Sequence, residues 1–66
     1  MAKSEGRVTD ATASVIKLAR SLGYKYETIA SYFVINQGRI ADVMKGRIAP
    51  AIPAARVLPS DFPAQI

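Results

Sequence analysis

Apolar residues recur at helical spacing near the beginning of the chain. Positions i, i+4, i+7 and i+11 of this stripe are Ala11, Val15, Leu18 and Leu22. Such spacing puts the four side chains on one face of an amphipathic helix. Thr9 or Asp10 can cap the N-terminus of that helix by accepting a hydrogen bond from an unpaired backbone amide. Gly23 follows the last apolar position, where glycine adopts a left-handed conformation at little cost, so we expect the helix to end there.

Two shorter apolar sets follow, and each predicts a further helix. The second helix carries Tyr26, Ile29, Ala30 and Phe33 on its apolar face. Tyr24 can pack against Ile29 and fix the angle at which the chain enters this helix. The third helix begins after Asn36, a good N-cap residue, has Ile40 and Val43 as apolar positions with Met44 alongside, and ends at Gly46. The pattern therefore predicts an all-α fold of three helices within residues 9–46.

The chain after Gly46 has a different composition. It contains all four prolines of the sequence, at positions 50, 53, 59 and 63, interleaved with apolar residues. Prolines at this density exclude a long helix or a central strand, whereas the apolar residues argue against a solvated tail. We therefore expect residues 47–66 to form a proline-rich, extended arm with one helical turn around Ala54 to Leu58. Residues 1–8 form a polar N-terminus that we expect to be flexible.

The segment from Ile29 to Gly46, IASYFVINQGRIADVMKG, resembles the helix-turn-helix pattern of small bacterial and phage DNA-binding regulators of the repressor or control-protein type. The matching positions are the Ile29-Ala30 pair, an aliphatic residue at the turn, two aliphatic residues three positions apart and a closing glycine, here Ile35, Ile40, Val43 and Gly46. The resemblance implies that residues 9–46 form a three-helix helix-turn-helix domain whose third helix enters the DNA major groove.

Val34 departs from this pattern, because most members of the family carry glycine at that position of the turn. The turn uses a positive φ there, which is costly for a β-branched residue. Three alternatives follow from this departure: the turn is reshaped, the second helix runs longer, or the spacing is off by one residue. They leave the register of the third helix open by about one position.

The face of the third helix opposite Ile40 and Val43 is the predicted recognition surface. The predicted base-contacting residues are Gln37, Gly38, Arg39, Ala41, Asp42 and Lys45. The predicted contacts to the DNA backbone are Tyr24, Lys25, Thr28, Asn36 and Arg47. Gln37 can pair with adenine, and Arg39 with guanine or a phosphate, while Asp42 can accept from cytosine or orient a neighbouring cation. The alternative for these polar residues is an ordinary solvated helix face, and for Tyr24 it is core packing.

Two residues of this surface invite a further interpretation. Gly38 in the first turn of a helix costs up to ~1 kcal/mol relative to alanine, and close approach of the backbone to DNA would explain it. Asn36 is expected to divide its role between capping the helix and contacting a phosphate.

Charge favours double-stranded DNA as the partner. The chain has 66 residues and a formal net charge of +4. The basic residues between positions 17 and 47 are Lys17, Arg20, Lys25, Arg39, Lys45 and Arg47. Only Glu27 and Asp42 oppose them in that stretch. Such a local excess is typical of proteins that bind polyanions, since each neutralised phosphate releases counterions.

The same composition argues against other classes of function. The sequence contains neither cysteine nor histidine, and its five acids are scattered, so we expect no enzyme, no metal and no cofactor. A chain this short does not build a substrate cavity unaided, so no small-molecule ligand is expected. No apolar run approaches the roughly 18 residues of a membrane span, and the N-terminus lacks the apolar stretch of a signal peptide. We therefore expect a cytoplasmic protein without a membrane partner.

A homodimer is expected, because a small core without disulfides commonly completes itself by association. The predicted dimerisation residues in the arm are Ile48, Ile52, Val57, Leu58 and Phe62. The alternative is that the arm folds back on its own three helices. The leading hypothesis is a sequence-specific transcriptional regulator of phage or mobile-element type, such as a repressor. Its rivals are an excisionase-like architectural DNA-binding protein and, in another class, a protein-interaction module such as an anti-activator or antitoxin-like partner.

Overall fold

The computed structural model describes residues 7–64. Within that range the chain forms three α-helices and no β-strand: α1 (Asp10–Ser21), α2 (Tyr26–Phe33) and α3 (Gln37–Met44). The prediction of a small all-α domain is confirmed. Most of the predicted flexible N-terminus, residues 1–6, and the last two residues of the predicted arm lie outside the described residues.

All three helices end with the same pair of backbone hydrogen bonds. After α1, the amide of Tyr24 donates to the carbonyl of Ala19 at 3.0 Å, and the amide of Gly23 donates to Arg20 at 3.1 Å. Equivalent pairs follow α2 and α3, which makes each ending a Schellman motif. The residues that turn the chain, all in the left-handed region, are Gly23 (φ 96°), Val34 (φ 57°) and Gly46 (φ 82°). The predicted ends at Gly23 and Gly46 are therefore confirmed.

The buried face of α1 is not the predicted one. Of the predicted stripe, Ala11 and Leu22 are exposed, while Val15 and Leu18 are half-buried. The buried residues are instead Thr12, Ala13, Ile16 and Ala19. The observed stripe lies one residue further along, which rotates the buried face by about 100° around the helix axis. Two alanines on that face let α1 approach the other helices closely around the single large side chain of Ile16.

The core lies where the three helices meet. Ile16, Ile29, Ile40 and Val43 are its largest fully buried side chains. The predicted packing positions Ala30 and Ile35 are also buried. Met44, which was expected beside this core, is 42% exposed. The sequence pattern of α2 and α3 therefore identified the residues that hold these two helices together.

The C-terminal segment, residues 47–64, folds back on the helices of its own chain. The ammonium group of Lys17 donates to the carbonyl oxygens of Ala49 (2.8 Å) and Ile52 (2.5 Å). One turn earlier on α1, the carbonyl of Ser14 accepts from the amide of Ala55 at 2.9 Å. The helical turn predicted around residues 54–58 is absent, since the only local feature there is a bend at residues 56 and 57.

Aromatic rings fasten the far end of the same segment. The ring of Phe62 packs edge-on against Tyr24, with 5.0 Å between ring centroids, and lies 4.6 Å from the ring of Tyr32. Tyr32 also packs edge-on against Phe33 at 4.8 Å. Phe62 packs against the buried residues of the helices, so the segment completes their core from one side. The aromatic pairs add stabilisation beyond simple burial.

Candidate nucleic-acid interface

The solvent side of α3 carries the six predicted base-contacting residues. Gly38, Ala41, Asp42 and Lys45 follow one another at i, i+3, i+4 and i+7, opposite the buried Ile40 and Val43. Together with the flanking Gln37 and Arg39, these residues are called here the outer face of α3. Four of the six side chains are exposed, and Ala41 and Asp42 are half-buried. All six are accessible from solvent, and the two smallest lie in the first half of the face.

The first turn of α3 is closed by the side chain of Asn36. Its Oδ1 accepts a 2.7 Å hydrogen bond from the amide of Gly38, so the predicted N-cap is confirmed. A Cβ atom at position 38 would stand 3.1 Å from the same Oδ1 atom, tighter than ordinary contact. The glycine therefore has a structural reason inside the chain, namely the room that the cap requires.

Val34 fixes the register of α3 by taking the conformation expected of glycine. Its backbone is left-handed, with φ 57° and ψ 50°. The amide of Ile35 still donates to the carbonyl of Ala30 at 3.0 Å, which closes α2 as after the two glycines. None of the three alternatives raised by the sequence occurs, because the valine accepts the backbone strain and the turn keeps its length. The outer face therefore has the register first derived from Ile40 and Val43.

Asp42 and Arg47 form the ion pair of this surface. The Nη1 atom of Arg47 lies 3.4 Å from Oδ1 of Asp42, and the two side chains are 69% and 28% exposed. Backbone bonds support the pair, because the amide of Arg47 donates to the carbonyl of Asp42 at 2.8 Å. Asp42 was expected to orient Arg39 or Lys45 if it did not contact a base. The cation that it contacts is Arg47 instead.

The predicted backbone contacts at the rim divide into accessible and inaccessible residues. Lys25 is exposed at the start of α2, and Thr28 is half-buried. Tyr24 is 7% exposed, and its hydroxyl donates to the carbonyl of Pro63 at 2.8 Å. Tyr24 is thus packed in the core with its hydroxyl engaged, which matches the alternative of core packing and leaves little of the side chain accessible to a phosphate.

Two basic residues of α1 have structural roles that the sequence pattern did not indicate. Lys17 binds the two carbonyl oxygens of the C-terminal segment, as described above. Arg20 donates from Nη1 to the carbonyl of Tyr24 at 2.5 Å, and its guanidinium lies 4.6 Å from the centre of the Tyr26 ring. The hydrogen bonds of Lys17 span more than 30 residues, so the local sequence pattern could not predict them.

The predicted dimerisation residues lie partly within the chain's own core. Ile48, Leu58 and Phe62 pack against the buried residues of the helices. Ile52 is half-buried, and its carbonyl accepts from Lys17. Val57 alone of the five is fully exposed to solvent, at 76%. For four of these residues the structure matches the alternative that the arm folds back on its own helices.

A second polar contact joins α2 to the C-terminal segment. The hydroxyl of Tyr32 donates to Oδ1 of Asp61 at 2.5 Å. This bond raises the pKa of the Tyr32 hydroxyl above its ordinary value of 10.0, and partial burial and the negative charge of Asp61 act in the same direction. Asp61 therefore helps to hold the C-terminal segment against α2.

Comparison of the chain with protein families, curated proteins and solved structures gives no match. Within residues 7–64, the side chains that commonly bind metals form no cluster of three or more. No helix in the same range is long and apolar enough to cross a membrane.

Proposed function

We propose that this protein is a sequence-specific DNA-binding transcriptional regulator in which α2, the turn at residues 34–36 and α3 act as a helix-turn-helix. In this proposal α3 enters the major groove and its outer face reads base edges. Such a regulator, of the phage or mobile-element type, acts in the cytoplasm. The observation that carries the proposal is the composition and accessibility of the outer face of α3.

The side chains of the outer face support this proposal by their lengths and chemistry. The first half of the face is shallow because Gly38 and Ala41 carry little or no side chain. Longer polar side chains stand around it, those of Gln37, Arg39 and Lys45. The major groove of B-DNA is about 12 Å wide and admits a helix whose flanking side chains reach the base edges. Gln37 matches the donor and acceptor pattern of adenine, and Arg39 that of guanine.

The distribution of engaged and accessible cations supports the same surface. Lys17 and Arg20 on α1 bind backbone carbonyls of their own chain. The basic residues on and beside α3, Arg39 and Lys45, are exposed, as is Lys25 at the start of α2. Arg39 and Lys45 therefore offer positive charge to phosphates at α3 itself. The exposed Arg56 lies instead on the segment that runs along α1.

We further propose that the regulator binds as a homodimer and represses by occupying a short palindrome. A domain of this size makes few base contacts, whereas two copies read half-sites about 34–36 Å apart. Since the C-terminal segment is occupied within its own chain, its exposed Val57 is the residue through which the segment would still reach a second copy.

Salt dependence tests the proposal directly. Affinity for a labelled duplex is measured by fluorescence anisotropy between 50 and 200 mM salt. For a DNA-binding protein, log Kd plotted against log salt rises with a slope of about 0.9 for each phosphate contacted. Lys25→Ala is expected to weaken binding on every duplex and to reduce this slope by about 1, because exposed Lys25 is a predicted phosphate contact. Arg56→Ala is the matched control, because it removes the same charge from the segment that lies along α1. A slope near zero, or no binding at low salt, contradicts the proposal.

The rival functions correspond to other outcomes of such measurements. An excisionase-like architectural protein would protect direct repeats in a footprint, whereas a dimeric repressor would protect a palindrome. A protein-interaction module would bind no duplex at low salt.

A further inference from the structure

The end of α3 brings an arginine back over the outer face. The carbonyl of Asp42 accepts from the amide of Arg47 at 2.8 Å and from the amide of Ile48 at 3.3 Å. These bonds reverse the chain direction within five residues. As a result, the guanidinium of Arg47 stands 3.4 Å from the carboxylate of Asp42, which belongs to the outer face. Arg47 is therefore held at this face and does not extend away from the end of the helix.

The pair leaves most of the guanidinium available. An arginine side chain has five N–H donors in a rigid planar fork, and the contact with Asp42 uses one nitrogen, Nη1. The side chain of Arg47 is 69% exposed, so its other donors face solvent. The Asp42 carboxylate has two effects on this group. It partly neutralises the charge that would attract a phosphate, and it restricts the directions in which the fork points.

On the basis of the proposed function, we propose that Arg47 is a specificity-determining residue that reads guanine, and that Asp42 is the positioning residue that orients it. The O6 and N7 atoms of guanine accept two parallel hydrogen bonds from the arginine fork, so this contact depends on how the fork is oriented. In this proposal Arg47 contacts a base, whereas the sequence predicted a contact to the DNA backbone. Asp42 acts through Arg47 and does not itself accept from cytosine.

The test begins with the wild-type protein and a pool of duplexes carrying a randomised central region. Selection of bound duplexes gives the preferred site, in which we expect a G·C pair that depends on Arg47. Affinities of wild type and Arg47→Lys are then measured on this site, on the site with that pair changed to A·T, and on random duplex. Lysine keeps the charge but lacks the fork. Arg47→Lys should lower affinity for the preferred site by about 5- to 150-fold and leave affinity for random duplex nearly unchanged.

Asp42→Asn gives the second readout. Asparagine preserves the shape of the side chain, and the backbone carbonyl that ends α3 is unaffected. We expect the ratio of affinities for the G·C and A·T sites to fall, while affinity for random duplex rises because a negative charge is lost. A merely structural role for Asp42 would lower the melting temperature without changing that ratio, so thermal unfolding is followed by circular dichroism in parallel.

Two results overturn the inference. In the first, Arg47→Lys behaves like wild type on every duplex. In the second, Arg47→Ala and Lys25→Ala weaken binding equally on selected and random DNA, which identifies Arg47 as a phosphate contact. Both leave the proposed function intact, because the wild-type protein still selects a site. Failure of the wild-type protein to bind any duplex at low salt overturns the proposed function itself.

Discussion

The hydroxyl of Tyr24 donates a 2.8 Å hydrogen bond to the carbonyl of Pro63, 39 positions further along the chain. The same tyrosine ring packs edge-on against Phe62. One side chain at the entrance to α2 therefore fastens the end of the C-terminal segment by a polar and an apolar contact at once. This residue was a candidate for DNA contact, and its engagement instead makes it a test of how the segment contributes to stability.

Tyr24→Phe should lower the free energy of unfolding by about 1 kcal/mol, because it keeps the ring contact and removes the hydrogen bond to Pro63. Urea unfolding followed by circular dichroism measures the change. Tyr26→Phe is the matched control, since Tyr26 contributes a ring face to Arg20 and is expected to tolerate loss of its hydroxyl. Equal stability of Tyr24→Phe and wild type would show that the bond contributes nothing in solution.

Val34→Gly should stabilise the protein by about 0.5–1 kcal/mol. A left-handed residue other than glycine costs about 1–2 kcal/mol, from which the greater chain entropy of unfolded glycine is subtracted. The gain corresponds to a rise of a few degrees in melting temperature.

The converse variant, Gly46→Ala, should destabilise the protein by a similar amount. An added Cβ there meets its nearest neighbour, the Cβ of Pro50, at 4.0 Å, so the cost comes from φ 82° and not from a clash. If Val34→Gly lowered the melting temperature, the valine side chain would have to make a stabilising contact that its 59% exposure argues against.

Lys17→Met should loosen the C-terminal segment while leaving the helices folded. Methionine keeps most of the aliphatic stem but loses the ammonium that donates to Ala49 and Ile52. Hydrogen bonds to charged groups contribute about 1.5–3 kcal/mol, so we expect a loss of about 2 kcal/mol in unfolding free energy. Hydrogen exchange at the amide of Ala55, which donates to α1, should quicken. Lys25→Met removes the same charge from an exposed site and should leave that amide protected.

Titration of Tyr32 should report the contact between α2 and Asp61. The raised pKa of its hydroxyl comes first from the hydrogen bond to Asp61 and then from burial and the nearby negative charge. The contact favours the neutral phenol, so its contribution to stability is complete below about pH 10, where the unfolded chain titrates. That contribution is lost as pH rises through the higher pKa of the folded state.

The measurement is a carbon-13 NMR titration of the Tyr32 ring. Asp61→Ala should return the pKa of Tyr32 towards 10.0, because the hydrogen bond and the nearby negative charge that raise it both come from Asp61. Asp10→Ala removes an acid from the first turn of α1 and should leave the pKa of Tyr32 raised. An unchanged pKa in Asp61→Ala would contradict the contact.

Periodicity predicted α2 and α3 well because their apolar residues are large and few. Ile29, Phe33, Ile40 and Val43 are bulky residues that fit helical spacing, and all four are buried. In α1 two adjacent stripes both had apolar members. The stripe with Val15 and Leu18 is bulkier, but small alanines beside Ile16 allow closer packing of three helices, and spacing alone does not weigh bulk against approach.

The sequence predicted which residues lie on the candidate site, but not which partners their side chains contact. The outer face of α3 follows directly from the buried positions of Ile40 and Val43. Whether Asp42 pairs with Arg39, Lys45 or Arg47 depends on the chain reversal after α3, which lies outside the helical repeat. The roles of Lys17 and Tyr24 depend on a segment more than 30 residues away, whose prolines indicate only where regular structure stops.

The clamp between Lys17 and the C-terminal segment has a kinetic consequence. Consecutive helices contact each other through residues closer in sequence than the bonds of the segment, which span 29 to 41 residues. Closing such long loops costs entropy before the contacts form, so we expect the segment to dock after the helices have assembled. Substitutions at Lys17 should therefore accelerate unfolding and leave the folding rate nearly unchanged. We therefore expect the hydrogen bonds of Lys17 to affect the lifetime of the native state more than its rate of formation.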